Sequence, residues 1–239
     1  MSLLTLIQNA TDRVGIVRPS TVIGSSDQQV RQLLGLAQQE GKELARRHPW
    51  QILTKEKTIT AIASETQTGG IPTDFDRFLV DTFYNRTKNR RVLGPMNAQE
   101  WQNYKASVST VIFDAFRQRG DSLLFAPTPT AGETYAYEYV TTYWVATAAA
   151  STTPAQASWL DDTDVGILSE ELMTDGLVWR FKKAKGFDYA EEFRAYEAQV
   201  MLAAAKDGGK RRVVSFAGPG YDTARQPRKP NWPDASWNL

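Results

Sequence analysis

GSSDQQVRQLLGLAQQEGKELARRHPW, residues 24–50, changes texture only at its very end. Val30, Leu33, Leu34, Ala37, Gly41, Leu44, Ala45 and His48 recur at the three-and-four spacing of a single helical face. The stretch therefore predicts an amphipathic helix opening near Ser25–Ser26. Pro49 cannot continue it, because it lacks the N–H that an interior helical residue donates. From Ile52 to Ala63 the period drops to two, with Ile52, Thr54, Glu56, Thr58, Thr60 and Ile62 on one side, as a strand requires. A helix that gives way to strands at one proline points to an α+β chain, and the remaining segments sort by the same two periods.

Towards the N-terminus, Leu3, Leu6, Ile7, Ala10, Val14 and Val17 share a face behind Ser2, an N-cap residue type, and Arg18-Pro19 stops the segment. Towards the C-terminus the helical period returns twice. Ser169, Glu170 and Glu171 supply a cap and negative charge for the positive end of a helix dipole. The face that follows is Leu172, Met173, Gly176, Leu177, Arg180, Phe181 and Ala184, with Trp179 beside it, and Gly186 closes the segment. A last helix is expected from Asp188 to about Lys206, with Tyr189, Phe193, Tyr196, Val200 and Ala203 as its stripe. Between the helical pairs, Phe75–Phe83, Arg91–Leu93, Val111–Arg117, Ser122–Phe125 and Thr134–Tyr143 read as short strands. Tyr135, Tyr137 and Tyr139 fall on one face of the last of them. Asn97 and Glu100 form a capping box for a short helix, residues 126–132 read as a tight hairpin-like connection, and residues 147–164 as a loop.

Two helices cannot bury their stripes alone. The expected fold is therefore α+β: a four-helix bundle of two N-terminal and two C-terminal helices (residues 1–49 and 166–208), an inserted antiparallel β-rich domain (50–165) and an extended C-terminal arm (209–239). From Asp207 on, four prolines, four glycines and no helical period argue against an autonomous fold. The same stretch holds Phe216, Tyr221, Trp232 and Trp237, large aromatics that gain nothing unless buried. It has six of the chain's 28 basic residues and three of its 27 acidic ones, which leaves the remainder at net −2. Extended, it spans roughly 110 Å. Such a tail fits an arm that docks on another protein, with Arg211, Arg212, Val213, Val214, Phe216, Tyr221, Trp232 and Trp237 as its anchors.

No catalytic constellation is visible. The absence of cysteine rules out disulfides and thiolate sites, and His48, the one histidine, sits on the apolar side of a helix end, where packing explains it. Asp161, Asp162 and Asp164 fail the calcium-loop pattern, since position twelve counted from Asp162, where the bidentate Glu must stand, is Met173. Gly208-Gly209-Lys210 follows a helix and is succeeded by Arg211, so it is no phosphate loop. No cofactor, no metal and no enzyme activity is expected, and no apolar run approaches the length of a membrane span. Arg86, Lys88, Arg90 and Arg91, flanked by Tyr84, form a basic stretch read as a solvated hairpin tip. With the basic tail it also supports an alternative, a nucleic-acid-binding module.

Five segments carry a resemblance: GSSDQQVRQLL (24–34), QEGKELARRHPW (39–50), IPTDFDR (71–77), GPMNAQEW (94–101) and ELMTDGLVWRFKKAKG (171–186). Together they resemble the head-to-tail adaptors of tailed bacteriophages, of the kind called phage adaptor or tail tubular protein A. The resemblance implies a structural virion protein of the neck, assembled in the host cytoplasm. It implies a ring of 12 copies beneath the portal protein, and a platform for a downstream nozzle, tube or terminator protein. Genomic DNA would pass through its lumen without sequence-specific binding, and no membrane is involved. Within that picture the arm would dock on the portal, and Arg86, Lys88, Arg90 and Arg91 become candidate contacts to the DNA channel or the tail-side partner.

Overall fold

The structure, a computed structural model, describes residues 2–106, 113–147 and 153–208. It is α+β, with antiparallel sheets between two pairs of helices. The first pair is α1 (Leu3–Val14) and α2 (Gln28–Arg47). Ser2 caps α1 by accepting from the Thr5 N–H at 3.3 Å, as its residue type predicts. The helix ends at Gly15, earlier than Arg18-Pro19, so Val17 lies off the buried face and is 87% exposed. Asp27, rather than Ser25 or Ser26, caps α2, its carboxylate accepting from the Gln29 N–H at 2.8 Å.

A single 3-10 turn, Gln51–Leu53, precedes β1 (Thr54–Thr60), so Ile52 stands outside the strand. The expected alternation holds, but the face that carries Ile52 and Ile62 points outward, and Leu53, Ile59 and Ala61 point in. The strands that follow are β2 (Thr66–Gln67), β3 (Phe75–Phe78), β4 (Tyr84–Asn85) and β5 (Arg90–Arg91). Of the expected strand Phe75–Phe83 only Phe75–Phe78 forms, and the chain turns at exposed Val80 and left-handed Asp81 before β4. The capping box opens α3 (Ala98–Ala106): the Glu100 N–H donates to Asn97 Oδ1 at 2.8 Å and the Asn97 N–H to Glu100 Oε2 at 3.0 Å. After it come β6 (Ala115–Arg119), β7 (Ser122–Ala126), β8 (Thr134–Thr141), β9 (Val145–Ala146) and β10 (Val165–Gly166). The second helical pair is α4 (Glu170–Lys185) and α5 (Ala190–Asp207). Ser169 precedes α4 but makes no side-chain capping bond, so dipole compensation by Glu170 and Glu171 is what remains of that signal. Ala184, assigned to the buried face of α4, is exposed.

β8 organises the larger sheet. Along one edge it pairs with β1 from Thr54↔Val140 to Thr60↔Thr134, and along the other with β4 and β3 in turn. The second sheet runs β2-β7-β6, and β9 pairs with β10. Residues 126–132 therefore do not close a hairpin. They carry the chain from one sheet to the other, and the two sheets meet through side chains, with the Phe125 and Tyr135 rings stacked at 4.6 Å. Tyr135, Tyr137 and Tyr139 share the buried face as the alternation predicts. Each hydroxyl donates to a buried acceptor: Glu133 at 3.0 Å, the Gly70 carbonyl at 2.6 Å and Asp74 at 3.0 Å.

The helical core lies on α4, against which α1, α2 and α5 all pack. This core does not stop at the Pro49 boundary. Leu53, Val140, Trp144, Val145 and Trp159 belong to it, so the β region is joined to the helices through shared apolar packing. Gly41 marks the tightest join, because a Cβ there would lie 2.2 Å from the Trp144 ring. Trp144 is buried and its Nε1 donates to the Ala157 carbonyl at 2.9 Å, so it cannot retreat. Gly41→Ala gains about 1 kcal/mol of helix propensity but forces an overpacked contact costing typically 1–3 kcal/mol or more. The expected net result is destabilisation, read as a lower urea midpoint; a midpoint at or above that of the unmodified chain would contradict the contact.

Candidate interaction surfaces and the polar core

The basic stretch lies where the sequence reading put it, on the turn of the β4–β5 hairpin, with Tyr84 paired to Arg91 across it. Its charges are engaged by the protein's own carboxylates. Arg86 pairs with Glu56 at 2.8 Å, Lys88 with Glu133 at 2.8 Å, and Arg91 with Asp81. Arg90 also has an interaction within the chain. Asn85, fully buried, fixes the turn by donating to Asp114 at 3.0 Å and Glu133 at 2.8 Å while accepting from the Lys88 N–H.

Burial alone would raise the Glu133 carboxyl. Hydrogen bonds from Lys88, Thr130, Asn85 and Tyr135 outweigh it and hold the group down at about 2. A depressed carboxylate contributes stability that is fully present above the ordinary value of 4.5 and is lost as the pH falls towards 2. Lys88→Met should therefore destabilise the protein more at pH 7 than near pH 2. Urea melts at the two pH values check this, and an equal loss at both would contradict the role given to Lys88.

A second polar cluster lies among the helices. Glu40 on α2 is fully buried, as is Tyr196 on α5, and Arg180 on α4 is nearly so. Arg180 Nε donates to Glu40 Oε2 at 2.6 Å, its outer nitrogen to Glu43 Oε2 at 2.5 Å, and the Tyr196 hydroxyl to Glu40 Oε1. Burial raises the Glu40 carboxyl against these bonds. Gly176 makes room for it, since a Cβ there would lie 2.2 Å from the Glu40 carboxyl carbon. The periodicity placed Arg180 on the inner face of its helix but gave no sign that Glu40 would meet it. A third cluster joins Lys55, Asp74, Tyr139 and Thr141 beneath β3 and β8.

The remaining sequence candidates have structural partners. His48 packs edge-on against Trp50 with ring centroids 5.0 Å apart, and its Nε2 lies 3.5 Å from Asp207. The Asp162 carboxylate accepts from the Val22 and Ile23 N–H groups, and that of Asp164 from the Leu160 and Asp161 N–H groups. Both acids thus hold loops in place. Among the described residues no cluster of His, Asp or Glu could hold a metal ion, and no helix is long and apolar enough to cross a membrane. Arg211, Arg212, Val213, Val214, Phe216, Tyr221, Trp232 and Trp237 lie outside the described residues.

The polar groups of this fold thus hold elements to one another. The family model for the SU10 adaptor protein matches residues 1–221, and the chain belongs to that family of phage head-to-tail adaptors, as the resemblance implied. The match spans both helical pairs, the sheets between them and the tail as far as Tyr221. Its role is structural, at the junction of head and tail. No curated protein matches the chain.

Proposed function

We propose that the chain forms a ring of 12 copies beneath the portal protein, extends the DNA channel and offers the platform on which a downstream tail protein assembles. The observation that carries this reading is the adaptor-family match over residues 1–221. In this proposal residues 1–49 and 166–208 act as one four-helix bundle, residues 50–165 as the inserted β domain, and residues 209–239 as the arm that docks on the portal. A ring subunit makes head-to-tail contacts that close by rotation, and Met201 and Leu202, 70% and 55% exposed on α5, supply apolar surface for them. The paired cations of the β4–β5 hairpin suit a lumen that passes DNA without gripping it.

Phage particles made without this protein test the proposal. DNA-filled heads lacking tails are expected, and complete tailed particles would overturn it. Binding to duplex DNA separates the alternative: the isolated chain should bind weakly, whereas tight binding with a steep loss as salt is raised would favour the nucleic-acid-binding module.

A further inference from the structure

An apolar groove of about 410 Å³ opens where α5 ends. Leu44, Trp50, Leu168 and Leu172, all buried, form its base, and Ala203 and Ile52 border it. Ile52 is 47% exposed, an apolar side chain held out by the 3-10 turn with nothing described over it. The C-terminus of α5 is tied to the groove's rim. Asp207 Oδ2 accepts from the Gln51 N–H at 2.8 Å and lies 3.5 Å from His48 Nε2. The chain therefore enters its tail at the edge of this groove.

We propose that in the free subunit Val213, Val214 and Phe216 of the same chain occupy the groove. Three observations select this occupant. These are the first large apolar residues after α5, and the six residues from Asp207 to Val213 can cover roughly 20 Å. Gly208 and Gly209 allow the chain to turn back, and Lys210, Arg211 and Arg212 then stay near Asp207 and the negative end of the α5 dipole. The family match also includes this segment and stops at Tyr221, so the proximal tail goes with the body while Trp232 and Trp237 lie beyond it. A tether this short gives an effective concentration in the millimolar range, well above that of a second copy at micromolar concentration. The inference rests on the arm reading only in that a portal would find the distal residues presented and would have to compete for the proximal ones.

The chain has no cysteine, which permits a direct test on the full-length protein without a portal. Ser169 lines the groove and makes no side-chain capping bond, and Ser215 lies between the anchors, so Ser169→Cys with Ser215→Cys leaves the apolar contacts intact. On mild oxidation this pair should close an intramolecular disulfide about tenfold or more faster than Asp121→Cys with Ser215→Cys, whose first site is the exposed β6–β7 turn. Adding Phe216→Asp should bring the rate down to that of the control. Equal rates for the two pairs overturn the proposal. So does a disulfide that links two chains, which assigns the groove to the tail of a second copy. Neither result bears on portal binding, which is measured separately.

Discussion

Arg180→Ala is expected to cost about 3–5 kcal/mol of stability at neutral pH, the range for removing one partner of a buried ion pair. The cost comes from what is left behind. Glu40 is fully buried between α2, α4 and α5, and without Arg180 only the Tyr196 hydroxyl remains of its described side-chain donors. A folded domain holds about 5–15 kcal/mol in total, so the loss should appear as a large drop in urea midpoint. Its pH dependence identifies the cause. Burial raises the Glu40 carboxyl, and a carboxyl raised in the folded state gives its greatest stability below the ordinary value of 4.5 and loses it as the pH rises. Removal of Arg180 deepens that effect, so the deficit should shrink as the pH is lowered from 7 to 5. Combining Arg180→Met with Glu40→Gln removes the uncompensated charge, keeps an acceptor for Tyr196, and should recover much of the loss. A deficit independent of pH and unrelieved by the second substitution would show that Arg180 acts through packing alone.

The helices were legible because their stripes are long and broken by strong stops. Pro49 and Gly186 mark ends that the structure keeps. Periodicity also found the buried tyrosine face of β8, where Tyr135, Tyr137 and Tyr139 recur at every second residue. It left open which of two surfaces is buried. Ile52 and Ile62 share a face and point outward, and strand alternation shows that two faces differ but not which one is covered. Partner choice was illegible for the same reason. Residues 126–132 look like a hairpin connection, yet β7 and β8 join different sheets, which meet through side chains such as Phe125 and Tyr135. Glu40 stands three residues after Ala37 and four before Leu44, in phase with the buried face of α2, but nothing in the sequence names its partner 140 residues away. The tail carried the clearest functional signal in the sequence, aromatic residues with no core of their own, and it lies outside the described residues.

Deleting residues 210–239 is expected to leave a cooperatively folded body and to abolish portal binding. The apolar clusters of the described fold are built from residues within 2–208, so removing the arm takes no described core residue away. Binding is another matter, since buried Trp, Tyr and Arg anchors contribute 2 kcal/mol or more each where they act as hot spots. Losing Tyr221, Trp232, Trp237 and the basic residues together should weaken affinity by at least about 100-fold. Circular dichroism melts of the truncated chain separate this outcome from simple misfolding. Survival of binding in the truncated chain would place the docking surface on the body.

Native mass spectrometry of portal rings mixed with the full chain, beside the chain ending at Gly209, is the most direct measurement. About one added subunit per portal subunit is expected for the full chain and none for the truncated one. Equal uptake of both would contradict docking by the arm, and uptake of neither would contradict the proposed place beneath the portal.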